Sequence, residues 1–558
     1  MRLQGVGVSS GIGMGTAFVV EEPVIDISKK AASPNETTRL AAAVDKLVDI
    51  LNHRAACAGR EQAEILDSHV ILLSDPVILA DIKSMITGEQ CNCEYAVNKV
   101  FEEYAEVFRQ SGNEVMMMRA GDMRDIKNNL IAVMNGYELP DLDAIPKGSI
   151  IVANELTTSL AACINKTLVT GLVTNLGGPT SHMAIIARSM ELPAVVGIDK
   201  ITQGSQLIVN GDTGEVVLDP TEAELAKYSE LMEEIRSKKE ALKKYKGISS
   251  LTKDGRHMEL FANIGLEADI LKASEDDAEG VGLFRTEFLF MNRSTAPSEE
   301  EQFAVYKKAA LTFGNRPVII RTLDIGGDKD VPYLGLEKEE NPFLGCRAIR
   351  YCIDREELFA TQLRAVLRAS AFGAIKIMLP MIVDIRELRQ VKALINRLKN
   401  ELAEQGIEYD NNIAVGIMIE TPAAAVLAGA FAKEADFFSI GTNDLTQYVM
   451  AVDRGNQKVA KLYSEYNPAV LRLIYNVAKE AACHNIPCGV CGEAGAKPLL
   501  TKFLVGCGIN ELSMTSSSIL EVRSIIRQMT YTDTKAKIAE SIEQLADIDD
   551  SLALLRGL

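Results

Sequence analysis

The sequence predicts an α/β multidomain protein, in which a compact α/β domain with a helical insertion is followed by a (β/α)8 barrel of the TIM type. Three observations predict it. A chain of 558 residues exceeds what one hydrophobic core serves. Apolar residues recur at helical spacing from about 33 to 135, then in short strand-like runs from about 145 to 220. From about 250 to 530, strands and helices alternate eight times, which matches a (β/α)8 barrel in number and size.

The opening, Gly5 to Gly15, is glycine-rich but is no dinucleotide-binding turn. No strand precedes it, and the β-like run 16–20 follows where a helix is needed. Residues 17–20 are assigned instead to the sheet of the α/β domain. Ser33-Pro34-Asn35-Glu36 reads as a capping box with proline at the first helical position. Leu40, Val44, Leu47, Val48 and Leu51 then share one helix face. Asp75-Pro76 ends one helix and starts another, and Val97, Phe101, Tyr104 and Phe108 form a further stripe. Strands follow at 149–153, 170–174, 206–209 and 215–218. Residues 221–246 read as a charged connecting helix with Leu225, Tyr228, Met232, Ile235 and Leu242 on one side. The barrel strands are expected at 259–263, 280–284, 317–321, 374–379, 414–419, 436–440, 487–490 and 510–514.

Bulk composition narrows the function. A net charge of −18 argues against nonspecific nucleic-acid binding. No apolar run approaches the roughly 20 residues that span a bilayer. Met1-Arg2-Leu3-Gln4-Gly5 lacks a signal core, so a cytoplasmic protein without membrane insertion is expected. Ten cysteines scattered over a long chain fit reduced thiols rather than a disulfide framework.

The stretch Gly177-Gly178-Pro179-Thr180-Ser181-His182-Met183-Ala184-Ile185-Ile186-Ala187-Arg188 carries chemistry. A glycine turn and helix-capping residues place His182 at a helix N-terminus. Free N–H groups and the positive dipole end there attract anions and disfavour imidazolium. A neutral ring nitrogen beside an anion site suits a phosphoryl acceptor. The pattern resembles the swivelling phosphohistidine domain of enzymes that use phosphoenolpyruvate (PEP).

Charged residues gather where a barrel keeps its active site, at the C-terminal strand ends. Arg285 follows the second strand and Arg321 closes the third. Glu420 follows the fifth, Asn443 and Asp444 the sixth with Arg454 further along, and Cys491 the seventh. Arg347 and Arg350 lie in the long third connection. Several arginines hold a phosphate and a carboxylate by paired hydrogen bonds. Two carboxylates with open positions suit Mg²⁺, and a thiol at the mouth moves a proton.

Several motifs extend this set. They include Gly282-Leu283-Phe284-Arg285-Thr286-Glu287-Phe288-Leu289-Phe290-Met291 and Arg321-Thr322-Leu323-Asp324-Ile325-Gly326-Gly327-Asp328-Lys329. Others are Asn341-Pro342-Phe343-Leu344-Gly345, Glu420-Thr421-Pro422-Ala423-Ala424, Gly441-Thr442-Asn443-Asp444-Leu445-Thr446-Gln447-Tyr448 and Cys491-Gly492-Glu493. With them the chain resembles, essentially end to end, the enzyme I family of the bacterial PEP:sugar phosphotransferase system.

The resemblance implies that His182 accepts the phosphoryl group of PEP and passes it to a histidine of the carrier protein HPr, releasing pyruvate. It implies PEP binding by Arg285, Arg321, Arg454, Asn443 and Asp444, with Arg347 also in the active site. Glu420 and Asp444 are the implied Mg²⁺ ligands, and Cys491 the implied proton donor to the enolate. The expected domains are 1–22 with 145–222 (phosphohistidine), 23–144 (HPr-binding insertion), 223–250 (helical linker) and 251–558 (PEP-binding barrel). A homodimer through the barrel and a swing of the histidine domain between two sites are implied as well.

Other readings are weaker. Cys488-Gly489-Val490-Cys491 is a CxxC, but no second pair accompanies it, and positions three apart on a strand face opposite ways. His53, His69, His257 and His484 lack metal spacing; His69 reads either as a surface helix residue or as part of a carrier interface. A pyruvate phosphate dikinase or PEP synthase would need a large ATP-binding domain, and the residues before 145 show no phosphate-gripping glycine loop. A non-catalytic scaffold would have lost His182 or Cys491, and both are present.

Overall fold

Hydrophobic alternation along short strands dictates the first half of the molecule. The computed structural model describes residues 1–558 apart from 22, 24, 58–59, 111–113, 143–144, 178–181, 292, 294, 327–330, 338, 455 and 457. Two units, Met1–Lys238 and Lys239–Leu558, make up the chain.

Eight strands build the sheet of the first unit. They are β1 (Arg2–Gln4), β2 (Val6–Ser9), β3 (Ile12–Val20), β4 (Ser149–Ala153), β5 (Val169–Thr174), β6 (Ala194–Val196), β7 (Gln206–Asn210) and β8 (Glu215–Leu218). Their order is β1-β8-β7-β3-β4-β5-β6-β2, with β3 to β6 mutually parallel and the other pairs antiparallel. Period two sorts β4 between two cores. Ile151 and Ala153 pack with Leu172, Met183 and Ala187 on one face. Ile150 and Val152 pack with Ala17, Val173 and Val209 on the other.

The early glycines serve this sheet. A Cβ at Gly13 would stand 2.1 Å from the Thr170 carbonyl oxygen, and one at Gly15 would stand 1.9 Å from that of Gly148. The run 16–20 joins the sheet as expected, but β3 starts earlier, at Ile12. β1, β2 and β6 were not foreseen. Each has three or four residues, too few for a period to show.

Five helices lie between the adjacent strands β3 and β4: Glu36–Cys57, Arg60–Leu73, Pro76–Glu89, Cys93–Gln110 and Glu114–Met134. Leu40, Leu47, Leu66, Ile82, Val97, Phe101 and Leu130 form their core. Asp75 caps the third helix, accepting from the N–H groups of Val77 and Ile78, with Pro76 at its first position. The first helix corrects the expected capping box. It starts at Glu36, so Pro34 precedes it, and the Ser33 hydroxyl donates to the Glu36 carboxylate at 2.7 Å.

His69 is corrected as well. It is fully buried, with Nε2 3.2 Å from Asp122 Oδ1, and is no surface residue. Leu66, His69 and Leu73 fall three and four residues apart, so the histidine lies on the helix's apolar stripe.

The second unit closes eight parallel strands into a barrel: β9 (Glu259–Ile264), β10 (Val281–Arg285), β11 (Val318–Arg321), β12 (Ile375–Leu379), β13 (Ala414–Ile419), β14 (Phe438–Ile440), β15 (Cys488–Val490) and β16 (Glu511–Met514). Pairing of β16 with β9 completes the ring. All eight expected strands are present. Leu283, Ile319, Met378, Met418, Phe437 and Cys491 fill its interior. The outward residues, among them Leu260, Ile320, Ile377 and Ile417, join the helix layer in a much larger core.

The charged helix Glu222–Lys243 packs only its start on the sheet, through Leu225, Tyr228 and Met232. Ile235 is already 44% exposed. The segment after it is fixed to the barrel unit. Buried Arg523 donates to the Tyr245 carbonyl and to Ser250 Oγ, both at 3.0 Å, and pairs with Asp277 and Glu279. Among the described residues no helix is long and apolar enough to cross a membrane.

Filling the close approach at Gly15 should overpack the sheet and destabilise the first unit by about 1–3 kcal/mol. Gly15→Ala should therefore lower that unit's calorimetric transition. Gly121→Ala, on a helix position with no atom within 4 Å of the new Cβ, should leave the transition unchanged or raise it. Equal shifts for the two variants would contradict this packing account.

Candidate active site

Strand β5 leads through Gly177, in the left-handed region at φ 122°, toward the helix His182–Met190. Met183, Ala184, Ala187 and Met190 of that helix pack onto the sheet, which fixes its axis and hence its N-terminus. His182 occupies the first helical position, where the dipole's positive end lies. The expected turn and cap residues Gly178, Pro179, Thr180 and Ser181 lie outside the described residues, as does the His182 side chain.

In the other unit, parallel strands deliver side chains to one rim. Arg285 and Arg321 are the paired last residues of β10 and β11. Glu420 directly follows β13. Asn443 and Asp444 lie in the first turn of the helix Thr442–Met450 after β14. Cys491 follows β15.

A chain of alternating charge ties these positions together. Arg321 pairs with Glu287 at 2.5 Å and with Asp324 Oδ2 at 3.0 Å. The other oxygen of Asp324 accepts from Arg347, 2.7 Å from Nη2 and 3.2 Å from Nε. Arg347 continues to Asp444 Oδ2 at 3.4 Å, and Asp444 Oδ1 lies 3.3 Å from Arg454. Arg321 and Arg347 are buried, and Arg454 is partly exposed. Tyr448 lies 3.5 Å from Arg347 and donates to the Phe343 carbonyl at 2.5 Å.

The remaining expected residues surround this chain. Glu420 accepts from the Met381 N–H at 2.6 Å. Gly441 lets the next loop pass close by; a Cβ there would meet Glu420 at 3.0 Å. Arg285 stacks on Phe288 at 5.2 Å, and its buried Nε has no hydrogen-bond partner. Asn443 accepts from the Glu493 N–H at 3.0 Å. Arg350 instead fastens its own loop, donating to the carbonyls of Leu344 and Gly345 at 2.9 Å.

Burial sets the acid–base character of the rim. Burial first, then the nearby charges of Asp444 and Asp324, push the Glu420 carboxyl up to about 8. Burial also pushes the Cys491 thiol up to about 12, so it stays protonated at neutral pH. A protonated thiol suits proton donation and is the wrong form for a redox or zinc-binding cysteine. Cys488 belongs to the helix-facing core, on the opposite side of β15 from Cys491.

The donor set fits a hard divalent cation. Glu420 and Asp444 offer carboxylate oxygens, and buried Asp444 Oδ1 is within ion-pair range of Arg454 without making a hydrogen bond. Among the described residues no group of three or more His, Cys, Asp or Glu forms a complete cage. Such an ion would share its shell with substrate and water oxygens, as Mg²⁺ commonly does.

Sequence reasoning missed Glu287 and Asp324 as members of the rim. Both stood inside quoted motifs, Glu287 two residues after Arg285 and Asp324 three after Arg321. The available signal was an acid spaced to reach back to a strand-end arginine.

Comparison with known proteins covers the whole chain. Residues 239–531 match the PEP-binding domain of PEP-utilising enzymes, 145–214 their mobile domain, and 4–119 their N-terminal domain. The phosphoenolpyruvate-protein phosphotransferase of Priestia megaterium is 44% identical over 100% of this chain and 99% of its own length. Those of Staphylococcus carnosus and Bacillus subtilis are 41% and 40% identical, over 99% and 100% of this chain and 98% and 99% of theirs. A solution structure of an Enzyme I protein is 32% identical over 42% of this chain and 99% of that one, at a TM-score of 0.39.

The raised Glu420 gives a signed pH dependence. Its proton competes with a cation for the same oxygens, so divalent-cation affinity should climb with pH and level off above about 8. Calorimetry of Mg²⁺ binding in two buffers of different ionisation heat should count a released proton at pH 7. Binding that is pH-independent, or unchanged in Glu420→Gln, would contradict the placement.

Proposed function

We infer the reaction from membership: the chain belongs to the phosphoenolpyruvate-protein phosphotransferase family of PEP-utilising enzymes. It takes the phosphoryl group of PEP onto His182, releases pyruvate, and hands the group to a histidine of HPr, the first step of the sugar phosphotransferase system. The observation that carries this reading is the barrel rim. There the alternating chain Arg321–Asp324–Arg347–Asp444–Arg454 stands beside a protonated Cys491.

The geometry supports the following roles. Arg285, Arg321 and Arg454 hold the phosphate and carboxylate of PEP, with Arg347, Asn443 and Asp444 completing the site. Their guanidiniums face the charge that spreads over the phosphoryl oxygens during transfer. Neutral His182 at its helix N-terminus attacks phosphorus, and the helix dipole steadies the phosphate it acquires. The bond to the enol oxygen breaks, and Cys491 donates its proton to the enolate carbon. Glu420 and Asp444 would hold Mg²⁺, which when bound supplies positive charge to the phosphoryl oxygens and the departing enolate.

The same reading assigns the domains. Residues 1–22 with 145–222 carry the phosphohistidine, and the helical residues 23–144 dock HPr. Residues 223–250 are the linker, and 251–558 bind PEP and form a homodimer. The fixed segment after the helix Glu222–Lys243 supports a pivot of the histidine domain upstream of Tyr245. The chain works in the cytoplasm, where PEP and HPr are found.

Incubation with PEP labelled on phosphorus and with Mg²⁺ tests the reading. Acid-labile, base-stable label should appear on the wild type and vanish in His182→Ala. A folded, metal-loaded wild type that takes no label would leave a binding or regulatory relative instead.

A further inference from the structure

Below the rim, the barrel interior holds an acid the reaction above does not use. Glu511 opens β16 and is 7% exposed, and its Oε1 is buried without a hydrogen-bond partner. Two glycines make its space. A Cβ at Gly282 would stand 2.3 Å from Glu511 Oε1 and 2.5 Å from Ser513 Oγ. A Cβ at Gly489 would stand 3.1 Å from the carboxyl carbon and from Oε2. Gly489 and Cys491 are two residues apart on β15, so they face the same way, about 7 Å apart along the strand. The carboxyl thus occupies the place beneath Cys491 that a side chain at 489 would fill.

Polar groups connect this layer to the cysteine. Ser513 Oγ donates to Asn263 Oδ1 at 2.5 Å, and Asn263 Nδ2 donates to the Cys491 carbonyl at 3.1 Å. Buried Ser439 Oγ has no partner in hydrogen-bond geometry, yet it neighbours the Cys491 thiol. The Cys491 thiol itself donates to the Ile440 carbonyl at 3.7 Å, and the Glu511 carboxyl lies near enough to act on it electrostatically.

We propose that Glu511 is a positioning residue acting on Cys491: it holds the proton that restores the thiol after each turnover. This rests on the assignment of Cys491 as the acid. The S–H bond of Cys491 breaks as a C–H bond forms on the enolate carbon, leaving a thiolate. The O–H bond of Glu511 then breaks as S–H re-forms, and the carboxylate regains a proton from solvent. The acid is suited to the task. Burial, reinforced by Glu259 and opposed by Lys376, pushes it up to about 8, so it is protonated at neutral pH. The other titratable groups near it, Cys488 and Cys491, are neutral thiols there.

Rapid-quench assays of the full chain with PEP, Mg²⁺ and HPr test the proposal. Glu511→Gln should release a first equivalent of pyruvate at the wild-type rate, using the proton already on Cys491. Later turnovers should slow by roughly 100-fold or more. Glu511→Asp, which still carries a proton, should recover part of that loss. Wild-type turnover should fall as pH rises through about 8, and it does so even if Glu511→Gln fails to fold. Unslowed later turnovers in Glu511→Gln, or a wild-type rate flat through that range, would overturn the proposal. Cys491→Ala separates the parent assignment: it should lose the first equivalent too, and a surviving burst there would sink the role of Cys491 itself.

Discussion

One shared carboxylate organises the barrel mouth. Asp324, 2% exposed, accepts from Arg321 through one oxygen and from Arg347 through the other. Two buried guanidiniums would otherwise repel each other in a region of low dielectric. Breaking such a buried arrangement by removing one partner costs on the order of 3–5 kcal/mol. The rest of the rim hangs from this link, because Arg347 in turn holds Asp444, and Asp444 holds Arg454. The arginines are thereby set in place by the fold before any ligand arrives, which is the preorganisation that phosphoryl transfer requires.

The same arrangement explains why a cation belongs to the proposed chemistry. Arg321, Arg347 and Arg454 pair with Glu287, Asp324 and Asp444 across one mouth, with Glu420 beside them. Their charges nearly cancel, so the rim alone has little net attraction for a polyanion. The proton held by Glu420 is the visible sign of crowded carboxylates. A dication in its place would relieve the crowding and leave the rim positive, as a phosphate and carboxylate ligand needs.

Much of this was legible in the sequence. Parallel barrel strands bury both faces and read as continuous apolar runs bounded by loops, so all eight were found. Strand-end residues such as Arg321 and Glu420 stood out as a set, because arginines, carboxylates and a thiol gathered at the ends of several strands. Contacts between distant segments were not legible. Asp324 became a bridge only when Arg347 was seen beside it. Glu511 lay inside the expected strand 510–514 with nothing to mark it, since its burial depends on the absent side chains of Gly282 and Gly489 on other strands. In the first unit, β1, β2 and β6 are fixed by neighbours rather than by their own pattern, and His69, read as a surface residue or a carrier contact, is buried.

The central claim is that this rim is the place where PEP and its cation bind together. A crystal structure of the full chain with Mg²⁺ and a PEP analogue that cannot transfer its phosphate tests it most directly. The account predicts the metal on Glu420 and Asp444, with the phosphate and carboxylate of the analogue among Arg285, Arg321 and Arg454. A ligand bound elsewhere in the chain, or a metal away from both carboxylates with the rim intact, would contradict it.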